Sequence, residues 1–340
     1  MGDQDSEPVT PAAPAVVDRE DNNACVQWCF TEFQSDNITL DHERPSDFVT
    51  SQWAGRPRAY IIYRIVVGLA LLGWVSGDVV YETNEFYMGE AWRWLVFASN
   101  WSFAILAISA VFQAVTSTIY EYQPYWIMDP IYIRAMPVVL KLQWILFNIS
   151  CNSALVVTTG YWAFIAFVSN THYGHVFIGN WDQNIIPLLT SDMSRLKHTV
   201  NSIYVIADVL IVATPVRMYH MFFTAFLGSL YIVFNALYYI NNGSLLFRGG
   251  VGLGGRTYYF MNWSQPVEAI CTCVLGVIMS AAAQIVLHGL FQFRVWLHQR
   301  MYPNQPRTEA ELQNIITTSI SYNSLEDSYG ERPYGGKKPR

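Results

Sequence analysis

The run YIIYRIVVGLALLGWVSGDVV at 60–80 carries only two charges, Arg64 and Asp78. A helix of that length rises about 30 Å at 1.5 Å per residue, the thickness of a bilayer's hydrocarbon core. Five further runs follow at about 95–117, 137–160, 198–216, 220–241 and 267–291, the third able to continue to Phe167. In lipid a backbone N–H or C=O needs a partner within its own segment, so such runs become helices. The sequence therefore predicts an all-α fold, a six-span transmembrane helix bundle with disordered polar termini. It divides into a polar N-terminal region at 1–59, the helical domain at 60–293 and a tail at 294–340. Pro137 opens the third span and Pro215 closes the fourth, because proline has no N–H to continue a helix. The short link at 215–219 predicts that spans four and five form a tight antiparallel pair.

Composition agrees. Charged residues make up 14% of the chain and hydrophobic ones 52%, whereas soluble domains are about 25% charged. The net charge of −6 comes without any basic stripe, which excludes a nucleic-acid partner. Membrane lipids are the expected neighbours, and protein partners are not specified. The N-terminal MGDQDSEPVTPAAPAVVDREDN has neither the basic nor the apolar segment of a cleavable signal.

Six spans place both termini on one side, and Lys and Arg choose it. With the N-terminus inside, the inner flanks hold Arg56, Arg58, Arg134, Lys141, Arg217, Arg294, Arg300 and Arg307. The outer loops then hold Arg93, Arg195, Lys197, Arg248 and Arg256. That excess predicts cytoplasmic termini. Glycosylation at Asn37, one of the chain's sequons, would overturn it.

Cys151, Cys271 and Cys273 lie in apolar runs, where cysteine acts as a small hydrophobe. Cys25 and Cys29 lack a second pair at zinc spacing, so a metal site is not expected; lipidation is the alternative. RGGVGLGGR at 248–256 looks like a nucleotide loop but is expected neither to follow a strand nor to open a βαβ unit, and reads as a flexible outer loop. No cofactor is expected. In the tail, YNSL at 322–325 fits a tyrosine sorting pattern.

Polar residues inside the spans are the informative ones. Ser99, Ser102, Ser109 and Gln113 share an arc of span two, and His198, Asn201 and Asp208 share one of span four. Lys141, Asn148 and Asn152 share a face of span three. A charge at mid-bilayer costs about 2.5–3.5 kcal/mol on the lenient scale, so these stripes should line a polar interior. Asp208, deep in its span, should face a partner such as Lys141. Arg64 and Asp78 lie near the ends of span one, where snorkelling accounts for them. Ser99 and His198 both open spans on the outer side, at similar depth. A neutral imidazole there could take a hydroxyl proton, with Asn201 one turn below to orient the ring.

Four segments carry a family resemblance: RPSDFVTSQW (44–53), WLVFASNW (94–101), HTVNSIYVIAD (198–208) and YYFMNWSQP (258–266). Together they resemble the rolling stone proteins, multi-pass membrane proteins linked in insects to myoblast fusion. The likeness runs from about Cys25 to Arg300. It implies a plasma-membrane protein, in preference to one of the endoplasmic reticulum, acting in cell–cell contact or fusion.

The chain is more distantly similar to the androgen-induced and androgen-dependent membrane hydrolases, which cleave fatty-acid esters of hydroxy fatty acids with an intramembrane threonine and a histidine. Their histidine setting matches His198 and Asn201. Matching their threonine motif to FAS (97–99) puts Ser99 in the nucleophile's place, whereas matching the preceding tryptophan motif puts Val96 there. The alternative function is thus an intramembrane lipid-ester hydrolase, with Ser99 and His198 catalytic and a fatty-acid ester as substrate. A transporter lined by Asp208, Lys141 and the asparagines is a third class, without an inverted repeat to support it.

Overall fold

The computed structural model describes residues 32–53, 55–128, 136–170, 185–241, 243, 246–247, 250–251, 258 and 261–303. Residues 1–31 and 304–340 of the expected disordered termini, with Cys25, Cys29 and YNSL, lie outside these residues, whereas 32–53 of the N-terminal region and 294–303 of the tail are ordered parts of the structure. Among the described residues, six long helices form one bundle: α1 (Pro57–Glu85), α2 (Ala98–Tyr122), α3 (Val138–Asn170), α4 (Asp192–Ile211), α5 (Met221–Ile240) and α6 (Pro266–Met301). A short helix, Ile185–Thr190, precedes α4, and a two-residue hairpin pairs Leu246–Phe247 with Gly250–Val251. Proline opens α1 and α6, where its missing N–H costs nothing.

All of these helices except α4 are long and apolar enough to cross a membrane, counting α5 with the 3-10 turn before it. The remaining helix, α4, has 20 residues and rises about 30 Å, also a membrane's depth. It carries Lys197, His198, Asn201 and Asp208, all buried. Its bounds differ from the expected 198–216. Ser191 caps its start by accepting the Ser194 N–H at 3.1 Å, and the chain leaves the helix at Val212 with ψ 157°, ahead of Pro215. A helix cannot readily continue into the residue before a proline.

Unlike a soluble bundle, this one also turns an apolar face outward. On α1 the inward face carries Tyr60, Arg64, Leu71, Asp78 and Glu82, while Ile62, Val66, Leu69 and Val80 point outward and are exposed. Apolar side chains facing out fit contact with lipid. Between the helices, Phe103, Leu106, Phe147, Cys151, Val205 and Val209 fill the centre. α1 packs on α2, and a Cβ at Gly68 would lie 3.4 Å from the Ala110 carbonyl oxygen and the Val111 Cα. α3 is central, packing on α2, α4, α5 and α6.

The segment before α1 is built into the bundle. Phe48 packs against Trp144 of α3 with ring centroids 4.9 Å apart, and the Trp53 indole N–H donates to the Leu210 carbonyl at 2.8 Å. Ser51 bridges to Val212 in the extended link after α4. That link is held from the other side by Arg294 of α6, which donates to the carbonyls of Val209, Val212, Ala213 and Thr214. α6 itself continues through Met301, ten residues past the expected end of span six.

Candidate functional site

Two ionic clamps lie between α1 and α4. At one end Lys197 Nζ donates to Asp78 Oδ2 and Glu82 Oε1, both at 2.8 Å, and to Asn100 Oδ1 at 2.7 Å. Around them, the Trp94 indole N–H donates to Asp78 Oδ2 and the Tyr87 hydroxyl to Glu82 Oε2, each at 2.8 Å. At the other end Arg64 NH1 donates to Asp208 Oδ1 at 2.8 Å, and the Tyr63 hydroxyl donates to the same oxygen at 2.8 Å. Arg64 also donates from Nε to the Tyr60 hydroxyl. All five charged side chains are buried, with Asp78 completely inaccessible.

These clamps correct three expectations. Asp208 pairs with Arg64 rather than Lys141, whose Nζ meets Asp41 at 2.6 Å on an exposed surface. Arg64 and Asp78 do not snorkel to the surface; both point into the bundle. Lys197 is not an outer-loop residue but a buried part of α4. The misreadings share a cause. Starting span four at 198 leaves Lys197 just outside it, apart from Asp78 and Glu82, the two acids that it binds.

The other candidate residues fall into place as follows. Asn152 Nδ2 donates to Gln284 Oε1 at 2.8 Å and to the Ser280 carbonyl at 2.9 Å, and its Oδ1 accepts from Ser280 Oγ, which joins α3 to α6. Asn148 donates to its own helix at the Trp144 carbonyl. From α2, Ser102 donates to Ser153 at 3.0 Å and Gln113 to Ser109 at 3.2 Å.

His198 lies flat on Tyr161, with centroids 4.1 Å apart and planes 13° from parallel. Its carbonyl accepts the Thr158 hydroxyl at 2.6 Å. Its Nδ1 and the Asn201 Oδ1 are buried with no hydrogen-bond partner among the described residues. Ser99 follows Ala98, whose N–H donates to the Tyr258 hydroxyl at 3.0 Å. Burial pushes the Tyr258 hydroxyl up to about 12, so it stays protonated at neutral pH.

The family is decided by comparison along the chain. The family model for protein rolling stone matches residues 22–304. The chain belongs to the rolling stone family. Protein rolling stone of Drosophila melanogaster is 23% identical over 271 residues, covering 77% of this chain and 88% of that protein. No solved structure matches.

The four rolling-stone-like segments acquire a physical meaning in this setting. RPSDFVTSQW supplies Phe48, Ser51 and Trp53, which fasten the N-terminal segment to α3 and to the end of α4. WLVFASNW supplies Trp94 and Asn100 to the Lys197 clamp. HTVNSIYVIAD ends on Asp208 of the other clamp. YYFMNWSQP supplies Tyr258 at the start of α2 and Trp263, whose indole donates to Asn235 of α5 at 2.8 Å. Each segment contributes a buried polar link between elements.

Proposed function

We propose that this rolling-stone-family chain acts in cell–cell contact or fusion, as in myoblast fusion, from the plasma membrane and with both termini cytoplasmic. The observation that carries the reading is the family match across residues 22–304, which takes in all six helices. The clamps support it physically: a bundle locked by buried charge pairs is a fixed scaffold from which outer loops can be presented to another cell. The test is depletion of the protein from cultured fusing cells, with restoration by the wild-type chain. The reading expects the protein at contact sites, fewer fused cells on depletion and recovery on restoration. Confinement to the endoplasmic reticulum with unchanged fusion contradicts it. Epitope tags at both ends should be inaccessible in intact cells, and a glycan on Asn37 contradicts that orientation.

A second reading is a lipid-ester hydrolase with Ser99 as nucleophile and His198 as general base. The observation that favours it is the buried His198 Nδ1, which has no partner among the described residues. For catalysis the Ser99 hydroxyl must come within hydrogen-bond reach of this ring, since a base must reach the proton it removes. Membranes expressing the chain should then hydrolyse a fatty-acid ester of a hydroxy fatty acid, and both Ser99→Ala and His198→Ala should abolish it. A wild-type rate equal to background contradicts this reading.

A further inference from the structure

At the end of the bundle where α1 begins and α6 finishes, a cavity of about 380 Å³ opens. One wall is the N-terminal segment, with His42, Arg44 and Asp47; the opposite wall is α6, with Phe291, Arg294 and His298. The lining holds two guanidinium groups against one carboxylate, and two imidazoles beside them. Asp47 is already engaged, its Oδ2 meeting His42 Nε2 at 3.2 Å and Arg44 NH2 at 3.3 Å. A guanidinium has five N–H donors in a fork that fits an oxyanion. Arg294 is spent on backbone carbonyls, so it contributes a fixed positive charge rather than a movable contact.

The depth of this cavity follows from α6. Its 36 residues rise about 54 Å, well beyond a core of about 30 Å. Exposed aliphatic residues run along it from Val267 to Val286, after which the exposed large side chains include Phe293 and Trp296. The Arg300 guanidinium sits 5.9 Å over the Trp296 ring. Aromatic and cationic side chains together mark the membrane–water boundary. The part of the cavity wall nearest Phe291 therefore sits at headgroup level, where an abundant anionic group is phosphate.

We propose that this cavity binds an anionic, phosphate-bearing lipid headgroup, with Arg44 donating to the phosphate oxygens and Phe291 beside the start of the acyl chain. Arg294 supplies the fixed field behind them. A free phosphate shares this chemistry, and the test separates the two sources. The full chain in neutral detergent is titrated with short-chain phosphatidic acid, short-chain phosphatidylcholine and inorganic phosphate.

Phosphatidic acid should bind about tenfold more tightly than phosphatidylcholine, whose choline charge opposes the cationic wall. Arg44→Gln removes one donor, and Gln299→Glu adds an opposing charge at the exposed rim. Each should weaken phosphatidic acid binding about fivefold, with melting unchanged. Inorganic phosphate that displaces the lipid at equal concentration supports the phosphate site and assigns it to the free ion. Equal affinity for the two lipids overturns the proposal. So does unchanged affinity in both variants.

Discussion

Arg64 and Asp208 meet across α1 and α4 at 2.8 Å, and the same two helices meet again at Lys197 and Asp78 with the charges exchanged. On α1 the base comes first and the acid second; on the antiparallel α4 the base comes first as well. Arg64 and Asp78 are separated by about 21 Å of helix rise and Lys197 and Asp208 by about 17 Å, close enough for both clamps to close in one register. Sliding α4 by one turn, or reversing it, would break both. The polar residues that make α4 the least apolar of the six helices are thus the ones that seat it.

Lys197→Met should be severely destabilising. It leaves Asp78 and Glu82 buried without their cation, and removing one partner of a buried ion pair costs about 3–5 kcal/mol. Converting both acids as well, in Lys197→Met/Asp78→Asn/Glu82→Gln, should recover part of that loss. Thermal denaturation of the detergent-purified proteins measures it. A single variant as stable as wild type would show that the clamp contributes nothing.

Gly68→Leu should separate α1 from α2. A Cβ alone at this position would touch the Ala110 carbonyl oxygen at 3.4 Å, and a larger side chain has nowhere to go without moving a backbone. Overpacking of this kind costs about 1–3 kcal/mol. Gly73, which has nothing within 4 Å of an added Cβ, is the control: Gly73→Leu should be tolerated. Equal melting temperatures for the two variants would contradict the close approach.

Replacing His198 by Phe should keep the fold. The ring's stack on Tyr161 survives, and of the two ring nitrogens lost, the buried Nδ1 has no partner among the described residues; a change of this size without a broken bond costs under about 1.5 kcal/mol. His198→Ala removes the stack and should cost more. If Phe proved as damaging as Ala in a melting experiment, the imidazole nitrogens would hold a structural bond that the stacked geometry does not account for.

Much of this arrangement was legible in the residues. Apolar runs located all six helices, because length and hydropathy are what lipid demands of a span. Polar stripes pointed inward for the same reason. Arg64 and Asp78 lie within about 40° of one face at 100° per residue, and Lys197 and Asp208 within about 20°. The facing stripes were therefore present in the sequence, and periodicity alone would have found them once α4 was started at Asp192. Which acid meets which base was not legible. Lys141 and Arg64 are both cations on facing helices, and only the tilt and depth of α1 and α3 decide that Asp208 reaches Arg64. Nor was the built-in N-terminal segment: Phe48 and Trp53 sit in a polar stretch without periodicity, and their packing depends on Trp144 and Leu210, far away in sequence.

The most direct test of the two-clamp account is the charge exchange Arg64→Asp/Asp208→Arg, compared with each single change in the full-length protein. Each single variant puts two like charges against each other in the bundle and should fail to accumulate or lose about 3–5 kcal/mol. The exchanged pair restores opposite charges on the same two helices and should recover a folded, more stable protein than either single variant. A double variant no better than the sum of its parts would contradict the claim that this pair seats α4.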